Sequence, residues 1–135
     1  MAVFANDSEV YQYVGGIFRE ADKHPQVGPK LRAAGIVLRL DYTEPDASMT
    51  VRLEDPITVI DGPSSDQPDV TLMVPADIAD RYWRGEYNLA VGLAKGEVKA
   101  KGPVTKILKL VPLTKPLFPI YRELMASKQG ATAGA

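Results

Sequence analysis

The sequence contains no cysteine and a single histidine, His24. The first absence excludes a disulfide framework, a thiol nucleophile and any thiolate metal site. The second leaves no zinc site of the usual kind and no Ser–His or Cys–His pair to build a nucleophilic centre. His24 itself precedes Pro25 at the end of a helical pattern, which is the place of a structural residue and not of a general base. No Walker or dinucleotide-binding glycine pattern is present; Gly96–Gly102, GEVKAKG, has the wrong spacing and reads as a strand. No apolar run approaches the ~18 residues that would span a bilayer. The opening MAVFANDSE has neither a basic region nor an apolar stretch of the signal-peptide kind, so the expected location is the cytoplasm. A pI near 5.8 and the lack of interleaved basic and aromatic residues argue against nucleic acid as a partner. Neither a catalytic residue, a metal nor a cofactor is expected.

What is present is an ordinary soluble composition: 45% hydrophobic and 24% charged residues over 135 positions, enough for one domain with a real core. That domain is placed at residues 1–128. Residues 129–135, small and polar, read as a disordered tail. The net charge of −1 conceals a polarity, because residues 1–94 sum to −7 and residues 95–135 to +6. Such runs are usually solvated faces, but they can also become a surface field.

Asn6 or Asp7 caps a first helix, with Glu9 in capping-box spacing to Asn6, and Val10, Val14, Ile17 and Ala21 form its apolar stripe. Gly15 and Gly16 weaken this helix while permitting close packing on a sheet. A short helical piece over residues 29–34 ends at Gly35. Three strands follow in an antiparallel meander: IVLRLDY with Ile36, Leu38, Leu40 and Tyr42 on one face, ASMTVRLED with Ala47, Met49, Val51 and Leu53 inward, and ITVI. DGPSSDQPD is a polar loop rich in turn formers and a candidate for mobility.

DVTLMV is the fourth strand, with Val70, Leu72 and Val74 on one side. A helix from Pro75 to Gly85 presents Ile78, Tyr82 and the single tryptophan, Trp83. YNLAVGLAK alternates like a strand but is read as a helix capped by Asn88. In the fifth strand Lys99 and Lys101 point one way and Val98 and Ala100 the other. Pro103 opens a helix over 103–111 that is apolar beyond a single stripe, and so is expected to be buried on two sides. PLFPIYRELM follows, its Leu117-Phe118 pair held between Pro116 and Pro119 as a proline-broken cover.

The order of these pieces, Asp-Val-Thr-Leu, a short helix ending in glycine, then Gly-x-Val-x-x-x-Gly feeding a Leu/Lys-rich helix, resembles the sterol carrier protein 2 family. The likeness spans residues 69–112 and continues in compatible order over residues 8–62. It implies an α+β fold, a five-stranded, mainly antiparallel sheet with helices on one face enclosing an apolar cavity, and a non-catalytic lipid carrier. The expected ligand is a fatty acid, acyl-CoA or sterol-like lipid held between the sheet and the C-terminal helices. The residues expected around it are Met49, Val51, Leu72, Trp83, Leu93, Ile107, Leu110, Val111, Leu117, Phe118, Tyr121, Leu124 and Met125. Lys99, Lys101, Lys106, Lys109 and Lys115 are expected to face an anionic membrane. The alternative, from a different class, is an interaction module docking on a partner enzyme through the same apolar surface.

Overall fold

The computed structural model describes residues 3–134, with side chains described over residues 3–127. Helix α1, Asp7–Lys23, begins where Asn6 Oδ1 accepts from the Glu9 amide at 3.1 Å. The Glu9 carboxylate reaches back to the amide of Ala5, one residue before the position a capping box would use. Its stripe of Val10, Val14, Ile17 and Ala21 is fully buried. Gly15 lies in the buried face, where an added Cβ would meet Val59 of the sheet at an ordinary contact distance of 3.5 Å.

His24 ends α1 and starts the next element. Its Nδ1 accepts from the amides of Gln26 and Val27, each at 3.1 Å. That begins α2, Val27–Arg32, two residues earlier than the sequence pattern suggests. Gly28 explains the shift, since a Cβ there would meet the carbonyl oxygens of Ala21 and Asp22 at 2.9 Å. The chain can turn back this tightly only with no side chain at that point.

The strands are β1 (Ile36–Thr43), β2 (Ala47–Leu53), β3 (Thr58–Asp61), β4 (Val70–Pro75) and β5 (Lys99–Lys101). They form one sheet in the order β3-β2-β1-β4-β5. All neighbours are antiparallel except β1 and β4, which pair in parallel with Leu40 opposite Leu72. Alternation fixes the faces: Ile36, Leu38, Leu40 and Tyr42 are buried, as are Met49, Val51, Leu53, Val70, Leu72 and Val74. Arg39 and Arg52 point the other way and are half-buried, while Lys99 and Lys101 are exposed.

To place β4 beside β1, the chain must cross from the β3 edge. Residues 62–69 make this crossing, and polar contacts pin them instead of leaving them loose. Arg52 grips Asp66 with two hydrogen bonds of 2.8 and 2.6 Å. Asp69 accepts from the Val37 amide at 2.7 Å through its side chain and donates its own amide to the Val37 carbonyl at 2.8 Å. The loop is therefore tied to the polar side of the sheet.

The helices gather on the opposite side: α3 (Ala76–Trp83), α4 (Leu89–Lys95), α5 (Val104–Thr114), a 3₁₀ turn at Lys115–Leu117, and α6 (Phe118–Gly134). α6 thus carries helical backbone through the stretch assigned to a tail, whose side chains lie outside the described residues. α5 differs from the expectation. It continues through Pro112 to Thr114, and only Ile107 and Thr114 on it are buried. Proline removes the amide that would bond Leu108, and Leu108 is 37% exposed, so water can reach the freed carbonyl. With one side free in this way, the helix is not buried on two sides.

Asp22 links three elements. Its carboxylate accepts from the Ile57 amide at 3.1 Å and from Arg32 at 2.8 Å, and Arg32 also donates to its carbonyl. The Ile57 amide, more than the Arg32 guanidinium, holds the Asp22 carboxyl below its usual 3.8. A lowered folded-state value means that the stabilisation is fully present above about pH 4 and disappears as pH falls through that lowered value. Urea melts of Asp22→Asn against the unaltered protein should show a stability gap that is constant from pH 5 to 8 and narrows below pH ~4.

Candidate ligand cavity

Between the sheet and the helices lies a cavity of about 80 Å³. The inward row supplies its floor through Leu38, Leu40 and Tyr42 of β1 and Leu72 and Val74 of β4. Phe18 of α1 and Leu31 of α2 close one end. Ile78, Ala79, Tyr82 and Trp83 of α3 form a second wall, and Ile107, Leu110, Val111 and Thr114 of α5 a third. None of the lining side chains carries a charge.

The cavity opens toward a groove of about 670 Å³ between the α3–α4 connection and α5. Tyr82, Tyr87, Leu89 and Val111 border both spaces, and together they form the mouth. Leu108, Pro112, Lys115 and Phe118 edge the groove outside it. Helix α4 forms one flank and is lightly anchored, since Gly92 is its one buried residue. Gly85 at φ +81° and Gly96 at φ +79° stand on either side of it, both in the left-handed region that favours glycine.

Tyr87 fastens this flank. Its hydroxyl donates to Glu97 at 2.9 Å, and the Arg81 guanidinium stands 5.3 Å from its ring centre. The ring lies so close over Gly92 that no side chain fits there. Burial, and then the Glu97 carboxylate, push the Tyr87 hydroxyl above its ordinary pKa. On the inner wall Thr114 donates to the Val111 carbonyl at 2.7 Å, so in the 2.7 Å contact between Tyr82 and Thr114 the tyrosine is the donor.

Deeper in the helical layer stands a buried carboxylate, Asp80, only 4% exposed. Tyr121 donates to one of its oxygens at 2.8 Å and Arg84 to the other at 2.9 Å. Burial, followed by the Asp80 charge, raises the Tyr121 hydroxyl well above its ordinary pKa. Trp83 packs edge-on against Phe18 at 5.3 Å and against Phe118 at 6.3 Å between ring centres. Among the described residues no group of His, Cys, Asp and Glu is arranged to hold a metal ion, and no helix is long and apolar enough to cross a membrane.

Of the residues singled out from the sequence, Leu72, Trp83, Ile107, Leu110 and Val111 come together on the cavity wall. Phe118 edges the groove. Met49 and Val51 are buried in β2 away from the lining, and Leu93 and Leu124 are half-buried outside it. Leu117, Tyr121 and Met125 are fully buried core. The structure therefore divides the Leu117-Phe118 pair. Sequence reasoning passed over Tyr42, Tyr82, Tyr87 and Thr114 as lining, although the inward alternation of β1 already put Tyr42 in line with Leu38 and Leu40.

The fold recurs in solved structures. Sterol carrier protein 2 from Yarrowia lipolytica, in its apo form, superposes with a TM-score of 0.66 at 17% identity, over 85% of this chain and 96% of that one. A palmitated SCP2L2 from Aedes aegypti matches with a TM-score of 0.61 at 18% identity, over 78% and 94%. The ubiquinone synthesis protein UbiJ-SCP2 matches with 0.58 at 20% identity, over 76% and 88%. No family model matches the chain, and no curated protein matches it.

The divided pair yields a direct test. Leu117→Asp buries an unpaired charge in packed core and should abolish cooperative unfolding. Phe118→Asp places its carboxylate at the half-exposed rim of the groove, and the protein should still melt cooperatively at a reduced temperature. Thermal melts by circular dichroism on the two variants check the division.

Proposed function

We propose that this chain, which has the sterol carrier protein 2 fold, is a non-catalytic carrier that holds an apolar lipid. The supporting observation is an uncharged cavity, walled by the sheet and by helices α1, α2, α3 and α5, that leads into an open groove. In this reading a single domain over residues 1–128 carries the ligand in the cytoplasm. Leu72, Trp83, Ile107, Leu110 and Val111 touch the ligand, and Phe118 borders its path. The palmitated relative of the same fold supports a fatty-acyl, acyl-CoA or sterol-like cargo.

A cavity of about 80 Å³ is well below the roughly 300–1,000 Å³ of ligand pockets. Loading therefore requires its walls to part. α4 and α5 are suited to this, since between them only Gly92, Ile107 and Thr114 are buried, and weakly buried elements open at low cost. Enclosing about a dozen methylenes gains roughly 10 kcal/mol at ~0.8 each. Several kcal/mol of association cost leave affinity near the micromolar range.

The same groove faces the basic part of the chain. Every ion pair among the described residues uses an arginine, and Lys99, Lys101, Lys106, Lys109 and Lys115 are exposed and unpaired. Between Lys106 and Lys109 on α5, Leu108 is 37% exposed. Lys115 at the groove and Lys106 and Lys109 on α5 beside Leu108 suit an anionic bilayer as the place of loading, at about 1 kcal/mol per basic residue near the surface, whereas Lys99 and Lys101 lie on the outward face of β5, away from the groove. A second reading rests on Val91, 43% exposed, together with Leu108: the groove docks a partner protein and the cavity stays closed.

Delipidated protein titrated with a fluorescent acyl probe should bind close to one equivalent, and stoichiometric failure to bind would favour the docking module. Co-sedimentation should require anionic lipid and weaken between low and physiological salt. Lys106→Glu combined with Lys109→Glu should abolish it while leaving probe uptake in solution intact. Equal binding to neutral vesicles would remove the membrane arm alone.

A further inference from the structure

We infer, building on the carrier reading, that the cavity selects an uncharged lipid carrying one oxygen acceptor, such as a long-chain ketone or ester, which accepts a hydrogen bond from the Tyr42 hydroxyl. Tyr42 lies on the inward face of β1, opposite Ala47 on one side and Val74 on the other, and lines the cavity at 4% exposure. Its hydroxyl makes no hydrogen bond among the described residues, although no fully enclosed side-chain nitrogen or oxygen lacks a partner. The Tyr42 oxygen is therefore not fully enclosed, and the residue that carries it lines the void. An O–H donor so placed meets its requirement for a partner only when something in the cavity accepts from it.

The other hydroxyls of the wall already have acceptors. Thr114 donates to Val111, Tyr82 to Thr114, and Tyr87 to Glu97. The indole N–H of Trp83, on the facing wall, makes no hydrogen bond among the described residues either. The wall thus holds two donor groups, the Tyr42 hydroxyl and the Trp83 indole, whose protons no described residue accepts and from which a carbonyl oxygen could accept. A hydrocarbon would leave Tyr42 unsatisfied, at the cost that attends any buried orphan donor.

A carboxylate is excluded at the same spot by charge. No Lys, Arg or His lines the cavity. The buried Asp80 carboxylate of the helical layer is already held by Tyr121 and by the Arg84 cation, so that pair leaves no free positive charge for a second carboxylate. Burial pushes the Tyr42 hydroxyl far above its ordinary pKa, the response of a site that disfavours anions. A fatty acid would load with its tail inward and its head left in the groove, where Lys115 stands.

The test compares a long-chain methyl ketone, the alkane of the same length and the carboxylate of the same length, each titrated into delipidated protein and followed by the fluorescence of Trp83, the only tryptophan. Tyr42→Phe removes one oxygen and little else. It should weaken the ketone about two- to tenfold, the range of one neutral hydrogen bond, leave the carboxylate unchanged, and tighten the alkane if it changes the alkane at all. A ketone affinity that does not move, or a carboxylate weakened as much as the ketone, overturns the assignment and leaves the carrier reading standing. Failure of all three ligands to bind the unaltered protein overturns both. A second readout needs no variant: the carbonyl stretch of the ketone bound to the unaltered protein should sit at a hydrogen-bonded frequency, and a frequency equal to that in hydrocarbon overturns the inference.

Discussion

The buried carboxylate of Asp80 decides how the helical layer is assembled. A charge removed from water is expensive unless its lone pairs are met, and here Tyr121 from α6 and Arg84 from the end of α3 meet them at 2.8 and 2.9 Å. The tie is specific in a way that the surrounding apolar contacts are not. Leucines would tolerate a rotation of α6, whereas the Tyr121 hydroxyl reaches Asp80 in one orientation of the helix. That orientation carries Leu117, Tyr121 and Met125 into the core on successive turns and turns Phe118 outward to the groove. Trp83, the next turn of α3 after Asp80, is fixed by the same arrangement and becomes the rear wall of the cavity.

From this follows a division of the molecule by firmness. The sheet, α1, α3 and the first turns of α6 are joined by fully buried side chains and by the Asp80 and Asp22 ties. α4 and α5 have almost none of this. α4 is bounded by two left-handed glycines and latched by the Tyr87–Glu97 bond, and α5 lacks one backbone hydrogen bond at Pro112. Loosely held elements are where sub-global opening begins. They are also the elements whose separation would enlarge the cavity, while the floor formed by β1 and β4 stays in place.

The strands were legible in the sequence because each has one dry and one wet face, and period-2 alternation records that directly in IVLRLDY and DVTLMV. Helix ends were legible for the same local reason: Asn6, Asn88 and Gly85 act on their own neighbours. The parallel pairing of β1 with β4 was not, because alternation says which face is buried and nothing of the neighbour or its direction. Nor was the lining of the cavity. Adjacent residues on a helix lie about 100° apart, so whether Leu108 or Leu110, or Leu117 or Phe118, faces inward depends on a rotation set by distant contacts such as Tyr121 to Asp80. Composition marked residues 104–125 as rich in apolar side chains but could not assign them among core, cavity and rim.

The polar members of the wall show the same limit from the other side. Tyr42, Tyr82 and Thr114 are unremarkable in the sequence, each within an amphipathic pattern that packing alone explains. Their chemistry depends on which hydroxyls find acceptors, and that is a property of the assembled layer. Thr114 can donate to Val111 because α5 continues past Pro112 for two more residues. This leaves its oxygen as the acceptor for Tyr82 and uses up that proton as well. Among the described residues no such partner comes within reach of Tyr42, at the floor of the cavity. Which hydroxyls of the wall have spent their protons thus depends in part on where one helix ends. The functional polarity of the site arises from backbone termination as much as from side-chain identity.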